Sequence, residues 1–291
     1  MKWQSSKGEY NYLEMSNIRP SIGGQWYPNT NELLIQNLEM YLSNADVEKP
    51  SGKLYGIIVP HAGHIYSGQV AAHAFKCIEG MDFDTVIVVS PSHFLDDGNI
   101  LTTSHDAYLT AMGAIEIDKA LLNEVDNSLR ENFEEKLVYV SKDPEHAIEV
   151  ELPFLQYILK SFRLVPIMIF NQSYEIASAL GHSLAQVIAD RDALLVASSD
   201  LSHFYPDRIA RDLDHEMLRR IQAFDPEGVI EAEILRKGFA CGRGAISTVL
   251  CACRELGADQ VKVLNYSNSG EVTGDYDSVV GYGAAVIYNS E

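Results

Sequence analysis

Three histidines follow short apolar runs that are typical of buried β-strands. Histidine binds transition metals as the neutral imidazole and also transfers protons near neutral pH. Since parallel strands end at the same edge of a sheet, and ligands bind at that edge in open α/β proteins, the three side chains are expected to converge there. The histidines and the runs before them are His61 after LYGIIV, His93 after TVIVV and His203 after ALLVA.

Cys241 is a candidate to join them. It comes directly before Gly242, Arg243 and a predicted helix that extends to Leu256. A helix N-terminus and a nearby arginine lower the pKa of a thiol, which favours the thiolate that a metal or an electrophile requires. A small buried hydrophobic residue is the alternative interpretation. A Cys-His-His set suits Zn²⁺, Cu or Fe²⁺, because sulfur disfavours Mg²⁺ and Ca²⁺.

Two more residues have the chemistry and the position to act at such a site. Asp200 lies three residues before His203 and could accept a hydrogen bond from an imidazole or complete a coordination sphere, with an ordinary turn aspartate as the alternative. His146 follows a predicted helix start at Asp143, where the helix dipole disfavours the protonated imidazole. The remaining histidines lack such a placement and are expected to be structural or on the surface: His64, His73, His105, His182 and His215.

The elements that must position these residues form two β-α-β units. In each unit a helix joins two apolar strands, which predicts that the two strands run parallel and end at the same edge of the sheet. We therefore predict a single α/β domain with a central, mostly parallel sheet flanked by helices and extended by the C-terminal strands. The first unit comprises strand 54–59, a helix over 69–79 capped by Ser67 and stopped by Gly80, and strand 85–89. The second comprises strand 164–170, helix 176–188 and strand 193–197, and the closing strands are 261–266 and 278–288.

No linker or repeat divides the chain, so we assign residues 1–18 to an N-terminal extension and 19–291 to one domain. Aspartate and glutamate number 41 against 22 lysines and arginines, a formal charge of −19. This charge opposes nucleic acids and anionic membranes as partners. The four cysteines show no paired spacing, and there is no signal peptide or long apolar span, so a cytoplasmic, reducing location is expected.

Six motifs in order resemble the Memo family, which in prokaryotes is called protein B of the AmmeMemoRadiSam system. The resemblance runs from about Arg19 to the end of the chain. The motifs are PHAGHIYSG at 60–68, SPSHF at 90–94, DPEHAIEVELPFLQ at 143–156, SSDLSHF at 198–204, CGRGAIS at 241–247 and NYSNSGEVTGDYDSVVGYGA at 265–284. This family is similar in fold to the class III extradiol dioxygenases, which are non-haem Fe²⁺ enzymes.

The resemblance implies a role for each site residue. His61 and His93 match metal-ligating histidines, His203 matches the acid/base, and His146 matches a residue that contacts a ligand or the substrate. Cys241 stands in the region where the dioxygenases use a carboxylate, as is usual in the Memo family, and this departure weighs against ring cleavage. The implied cofactor is a divalent metal ion, Fe²⁺ by resemblance, with Cu or Zn²⁺ as alternatives. Family association also implies AMMECR-type and radical SAM proteins as partners.

Three functions stay open at this point. The first is a metal-dependent oxidoreductase in which His61, His93 and Cys241 bind the metal and His203, oriented by Asp200, is the acid/base. The second is a cysteine or histidine catalyst without a metal. The third is a non-catalytic binding or adaptor protein that uses the same cleft for a small molecule or a peptide.

Overall fold

The computed structural model describes residues 17–94 and 97–290. Residues 1–16 of the predicted extension lie outside the described residues. The strands are β1 Ile18–Arg19, β2 Leu54–Val59, β3 Thr85–Pro91, β4 Ile100–Thr103, β5 Ala107–Thr110, β6 Gly113–Glu116, β7 Leu137–Val140, β8 Arg163–Ile169, β9 Ala193–Ser198, β10 His203–Tyr205, β11 Gln260–Asn268 and β12 Val279–Tyr288. The helices are α1 Asn31–Asn44, α2 His64–Cys77, α3 Lys119–Phe133, α4 Leu152–Leu159, α5 Tyr174–Ile188, α6 Asp207–Gln222, α7 Pro226–Ile234, α8 Arg243–Glu255 and α9 Gly270–Thr273, with a 3-10 turn at Glu149–Glu151.

A large mixed sheet organises the molecule. Its strand order is β10-β12-β2-β9-β3-β8-β4-β7, and β11 pairs with β12. The four central strands β2, β9, β3 and β8 are parallel, whereas β12 joins β2 and β4 joins β8 in antiparallel fashion. The predicted parallel centre and its extension by the C-terminal strands are confirmed. The two strands of each β-α-β unit are not neighbours, however, because β9 lies between β2 and β3, and β3 lies between β8 and β9.

Helices cover both faces of this sheet. Helix α2 contacts β2 and β12 and packs against α1 and α4, whereas α8 contacts β2, β9 and β3 and packs against α5 and α7. The central strands are buried on both faces, which is why their sequences are continuous apolar runs without polar alternation. The α/β class predicted from the sequence is therefore confirmed.

Two predicted helix starts are wrong. Helix α2 begins at His64, five residues before the predicted start, and Ser67 lies inside it with its hydroxyl donating to the Ala62 carbonyl at 2.8 Å. The segment that begins at Asp143 does not start a helix, because hydrogen bonds from Arg19 to the Asp143 and Glu145 carbonyls hold it in a loop that continues to the 3-10 turn. Helix α2 ends at Cys77, two residues before the predicted end, and Gly80, the predicted stop, does have a left-handed φ of 84° in the turn that follows.

Candidate metal centre

The carboxyl ends of β2 and β3 bring two of the predicted histidines to the thiol. His61, His93 and Cys241 offer one ligand atom each, and these three atoms lie within 4.8 Å of one another. Nε2 of His61 is 3.2 Å from Sγ of Cys241. With metal–nitrogen and metal–sulfur bonds of about 2.1 and 2.3 Å, two ligands of one ion lie roughly 3.1–3.6 Å apart. The chemistry and spacing of this donor set therefore fit a transition metal.

Glu145 orients the imidazole of His93. The Nδ1–H of His93 donates to Glu145, with Nδ1 2.9 Å from Oε1, and the His93 backbone N–H donates to Oε2 at 2.7 Å. A backbone N–H from Ala147 also reaches Oε1 at 3.0 Å. Burial opposes ionisation of Glu145, but hydrogen bonds from His146 and His93 and the positive charge of His93 outweigh it and hold the pKa of this carboxyl well below its usual range. In the neutral ring of His93, a carboxylate on Nδ1 holds the single N–H there and leaves Nε2 with a lone pair for a metal.

Ser198, the last residue of β9, orients His61. Its Oγ is 2.8 Å from Nδ1 of His61, 2.7 Å from the Ala147 carbonyl and 2.9 Å from Oε1 of Glu151. Burial is the largest cause that lowers the pKa of His61 well below its ordinary value, and the charges of His146 and His93 add to it. The ring is therefore neutral, which is the form that binds a metal.

The predicted low pKa of the Cys241 thiol is wrong. Burial, with a further contribution from the charge of Asp200, raises the pKa of Cys241. Arg243 does not act on the thiol, because its guanidinium pairs with Glu233 at 2.8 Å. Cys241 is thus a protonated thiol in the metal-free protein. Its predicted position beside the two histidines is nevertheless observed.

Asp200 has a different contact from the one predicted. Its Oδ1 accepts the backbone N–H groups of His61 at 2.8 Å and Ala62 at 3.2 Å, so the carboxyl holds the loop after β2 and does not orient His203. The Asp200 carbonyl accepts the N–H of Cys241 at 3.2 Å. Burial raises the pKa of the Asp200 carboxyl to about 7. This residue therefore ties two of the three candidate ligand segments together.

His203 lies near the site. Within residues 17–94 and 97–290, however, its ring forms no hydrogen bond or ring contact with the three candidate ligands. Its ring packs edge-on against Phe204 and Phe239, each with centroids 5.7 Å away. Burial lowers the pKa of His203, and the charge of His203 in turn contributes to the lowered pKa of His61. A proton on His203 would therefore disfavour protonation of His61.

His146 forms the middle of a three-ring stack. Its centroid is 3.9 Å from that of Trp26 and 5.0 Å from that of His93, with interplanar angles of 12° and 23°. Nδ1 of His146 also lies 3.2 Å from Oε1 of Glu145. The atoms of His93, Glu145 and His146 form a second group with metal-ligand spacing. Hydrogen bonds from both imidazoles to one carboxylate account for that group without an ion.

Sequence reasoning missed a buried arginine that supports the loop of Glu145. Arg19, 2% exposed, donates through Nε to the Asp143 carbonyl at 3.0 Å and through Nη2 to the Glu145 carbonyl, and it pairs with Glu149. Its guanidinium also stacks on Tyr108, 4.6 Å from the ring centroid. The one sequence signal was the position of Arg19 at the start of the family resemblance.

The histidines without a strand-end position lie in structural or surface roles, as expected. His64, for example, is buried in α2, where its Nε2–H donates to the Val150 carbonyl at 2.9 Å. His182 pairs with Glu255 on the surface at 3.0 Å. None of the helices within residues 17–94 and 97–290 has the length and apolar character needed to cross a bilayer.

Fold and site together define an α/β protein with a candidate His-His-Cys metal centre at the carboxyl edge of its central strands. Comparison with known proteins gives the family. The model of the Memo-like protein family matches residues 19–286, and the chain therefore belongs to the Memo family.

Relatives span nearly the whole chain. A MEMO1 family protein of Methanosarcina barkeri is 35% identical over 92% of this chain and 99% of its own length. One from Nitrosopumilus maritimus is 32% identical over 91% of this chain and 98% of its own length. The crystal structure of an uncharacterized protein from Escherichia coli K12 matches with a TM-score of 0.52 and 12% identity, covering 80% of this chain and 100% of that one. That likeness supports the fold alone.

Proposed function

We propose that His61, His93 and Cys241 bind one divalent transition-metal ion and that the protein is a metal-dependent oxidoreductase. The observation that carries the metal assignment is the orientation of the two imidazoles. In each ring a polar partner lies on Nδ1, Glu145 for His93 and Ser198 for His61, which directs Nε2 towards the shared space beside Sγ. Fe²⁺ is the ion that the family resemblance favours, and Cu and Zn²⁺ are the other ions that suit two nitrogens and a sulfur.

The remaining residues have separate roles in this proposal. A bound ion would supply Lewis-acid and redox chemistry to an oxygen-containing substrate. His203 is the acid/base, since burial lowers its pKa and leaves it neutral and able to accept a proton. Asp200 fixes the backbone of His61, and His146 closes one wall of the site by stacking between Trp26 and His93. AMMECR-type and radical SAM partners stay an expectation from family association.

A second candidate function is a binding or adaptor role without turnover, and exposed apolar side chains favour it. Three aromatic residues that follow the site histidines by one to five positions along the chain are exposed: Tyr66 by 38%, Phe94 by 46% and Phe204 by 74%. Exposed apolar groups around a cleft are typical of a surface that binds a small molecule or a peptide.

Metal content tests the first proposal. The protein is purified without chelator and its metal content is measured by mass spectrometry alongside His61→Ala, His93→Ala, Cys241→Ala and His203→Ala, with circular dichroism as the test of folding. We expect about one ion per chain in the wild type, loss in the three ligand variants, and wild-type content in His203→Ala. The surface variant His182→Ala is the matched control and should keep the ion. Wild-type metal content in all three folded ligand variants would reject the metal site and favour the binding role.

A further inference from the structure

The hydroxyl of Ser198 lies between three polar atoms but has only one proton. Its Oγ is 2.7 Å from the Ala147 carbonyl oxygen, 2.9 Å from Oε1 of Glu151 and 2.8 Å from Nδ1 of His61. A carbonyl oxygen can only accept. If the Ser198 proton goes to Ala147, the other two contacts are hydrogen bonds only when Glu151 and His61 are both donors.

The opposite assignment leaves polar groups unsatisfied. If the hydroxyl turned to an ionised Glu151, the carbonyl of fully buried Ala147 would lose the Ser198 proton. Glu151 itself is 1% exposed, and its Oε2 has no hydrogen-bond partner among the residues that the structure describes. An ionised carboxylate there would have a single hydrogen bond, from a neutral group, to stabilise its charge, which is strongly unfavourable in a protein interior.

The neighbouring buried glutamates show what ionised carboxylates receive in this protein. Glu149 accepts from Ser21, Tyr27 and the Ile22 N–H and pairs with Arg19. Glu145 likewise accepts several N–H groups. Glu151 has neither a cation nor a backbone N–H among its hydrogen-bond partners within the described residues. Its surroundings are those of a neutral acid.

We propose that Glu151 is a protonated carboxylic acid and a positioning residue, which donates to Ser198 and thereby fixes His61 as the Nδ1–H tautomer. Nε2 of His61 then has its lone pair facing Sγ of Cys241 at 3.2 Å. Burial, with a smaller contribution from the charge of Asp200, raises the pKa of Glu151 well above its ordinary value and supports the neutral form. The consequence for metal affinity rests on the proposed function, whereas the protonation and the tautomer are properties of the metal-free protein.

Nuclear magnetic resonance of the metal-free protein tests the protonation of Glu151 and the tautomer of His61 directly. With glutamate labelled by ¹³C at the side-chain carboxyl, one signal should have the shift of a protonated acid at pH 7 and be missing from Glu151→Gln. With ¹⁵N-labelled histidine, His61 should be the Nδ1–H tautomer in the wild type and in Glu151→Gln, since the glutamine amide also donates to Ser198. Ser198→Ala should lose this preference. A Glu151 signal with the shift of a carboxylate at pH 7, or an Nε2–H tautomer of His61, would overturn the proposal.

Metal affinity then separates this proposal from the function on which it depends. With Zn²⁺ as the probe at constant pH, we expect Glu151→Gln to bind within about threefold of the wild type, and Ser198→Ala to bind about 10–100-fold more weakly. Loss of affinity in folded Glu151→Gln equal to that in Ser198→Ala would contradict a neutral Glu151. If the wild type binds no metal but the acid and the tautomer are observed, the proposed function fails and this inference stands.

Discussion

His61 and His93 lie side by side, but the groups behind them differ in charge and in distance. His93 contacts an ionised carboxylate directly, with Nδ1 2.9 Å from Glu145. His61 contacts the neutral hydroxyl of Ser198. The nearest carboxyl on that side belongs to Glu151 and contacts Ser198, not the imidazole itself. A direct carboxylate raises the basicity of a ligating imidazole, whereas a hydroxyl mainly fixes its tautomer and orientation. The same two candidate ligands are thus tuned in different ways.

The surroundings of the two carboxyls explain this difference. Glu145 lies in a loop held by the Arg19 guanidinium and receives several N–H groups, so its charge is compensated where it is buried. Glu151 lies in a 3-10 turn beneath the end of β9, where a hydroxyl is its partner. Residues of one type six positions apart therefore reach opposite protonation states, because only one of them has donors enough to hold a charge.

The largest expected effect comes from removing Arg19, which supports the loop of Glu145 on the His93 side of the site. We expect Arg19→Met to lower the free energy of unfolding by about 3–5 kcal/mol, because Asp143 and Glu149 would keep buried charges without a cation. Urea denaturation measures this loss. Arg130→Met is the control, since Arg130 forms an exposed ion pair with Asp126 at 2.8 Å and should cost no more than about 1 kcal/mol. Equal losses in the two variants would show that the buried network contributes little.

The second prediction concerns His64, on the His61 side of the site, and the dependence of the free energy of unfolding on pH. Burial lowers the pKa of His64, whose Nε2–H donates to Val150 beside Glu151, from its ordinary 6.5 to about 4. Between these values the unfolded chain binds a proton that the folded chain does not, so this part of the stability is complete above pH 6.5 and is lost as the pH falls towards 4. The loss is on the order of 3 kcal/mol.

Substitution of His64 should therefore flatten the acid limb of the stability curve. Denaturation from pH 7 to pH 4 measures the slope in the wild type and in His64→Gln, which keeps an amide donor for the Val150 carbonyl. A smaller decrease in the variant is expected. An unchanged slope would mean that His64 is not held neutral by burial.

The smallest of the three effects sharpens the contrast between the two carboxyls. Glu145→Gln should weaken Zn²⁺ binding by about 10–100-fold, because an amide removes the negative charge and places a donor against the N–H groups of His93 and Ala147. Glu151→Gln makes the same chemical change and should leave the affinity near that of the wild type. A competition titration of both variants gives the ratio. Similar affinities for the two would mean that the carboxyls do not differ in charge.

The sequence predicted the candidate ligands because their signals are local. Apolar runs predict strands, and the edge rule for parallel strands then predicts that His61 and His93 meet. Glu145 escaped notice because its partner His93 lies 52 residues away, while its own surroundings have the Asp-Pro pattern of a helix start. The prediction of a low pKa for Cys241 was wrong for a related reason. Arg243 is close to Cys241 along the chain and was expected to act on the thiol, but in the fold it pairs with Glu233.

The insertion of β9 between β2 and β3 has a consequence for the order of folding. Ser198 and Cys241 follow His61 by 137 and 180 residues, so the candidate ligand set cannot exist until most of the chain has been synthesised and β9 has entered the sheet. Contacts of such long sequence separation form late and slow the folding of a domain. An ion that binds only the finished edge should therefore leave the folding rate unchanged and slow unfolding, so that metal loading would lengthen the lifetime of the native protein.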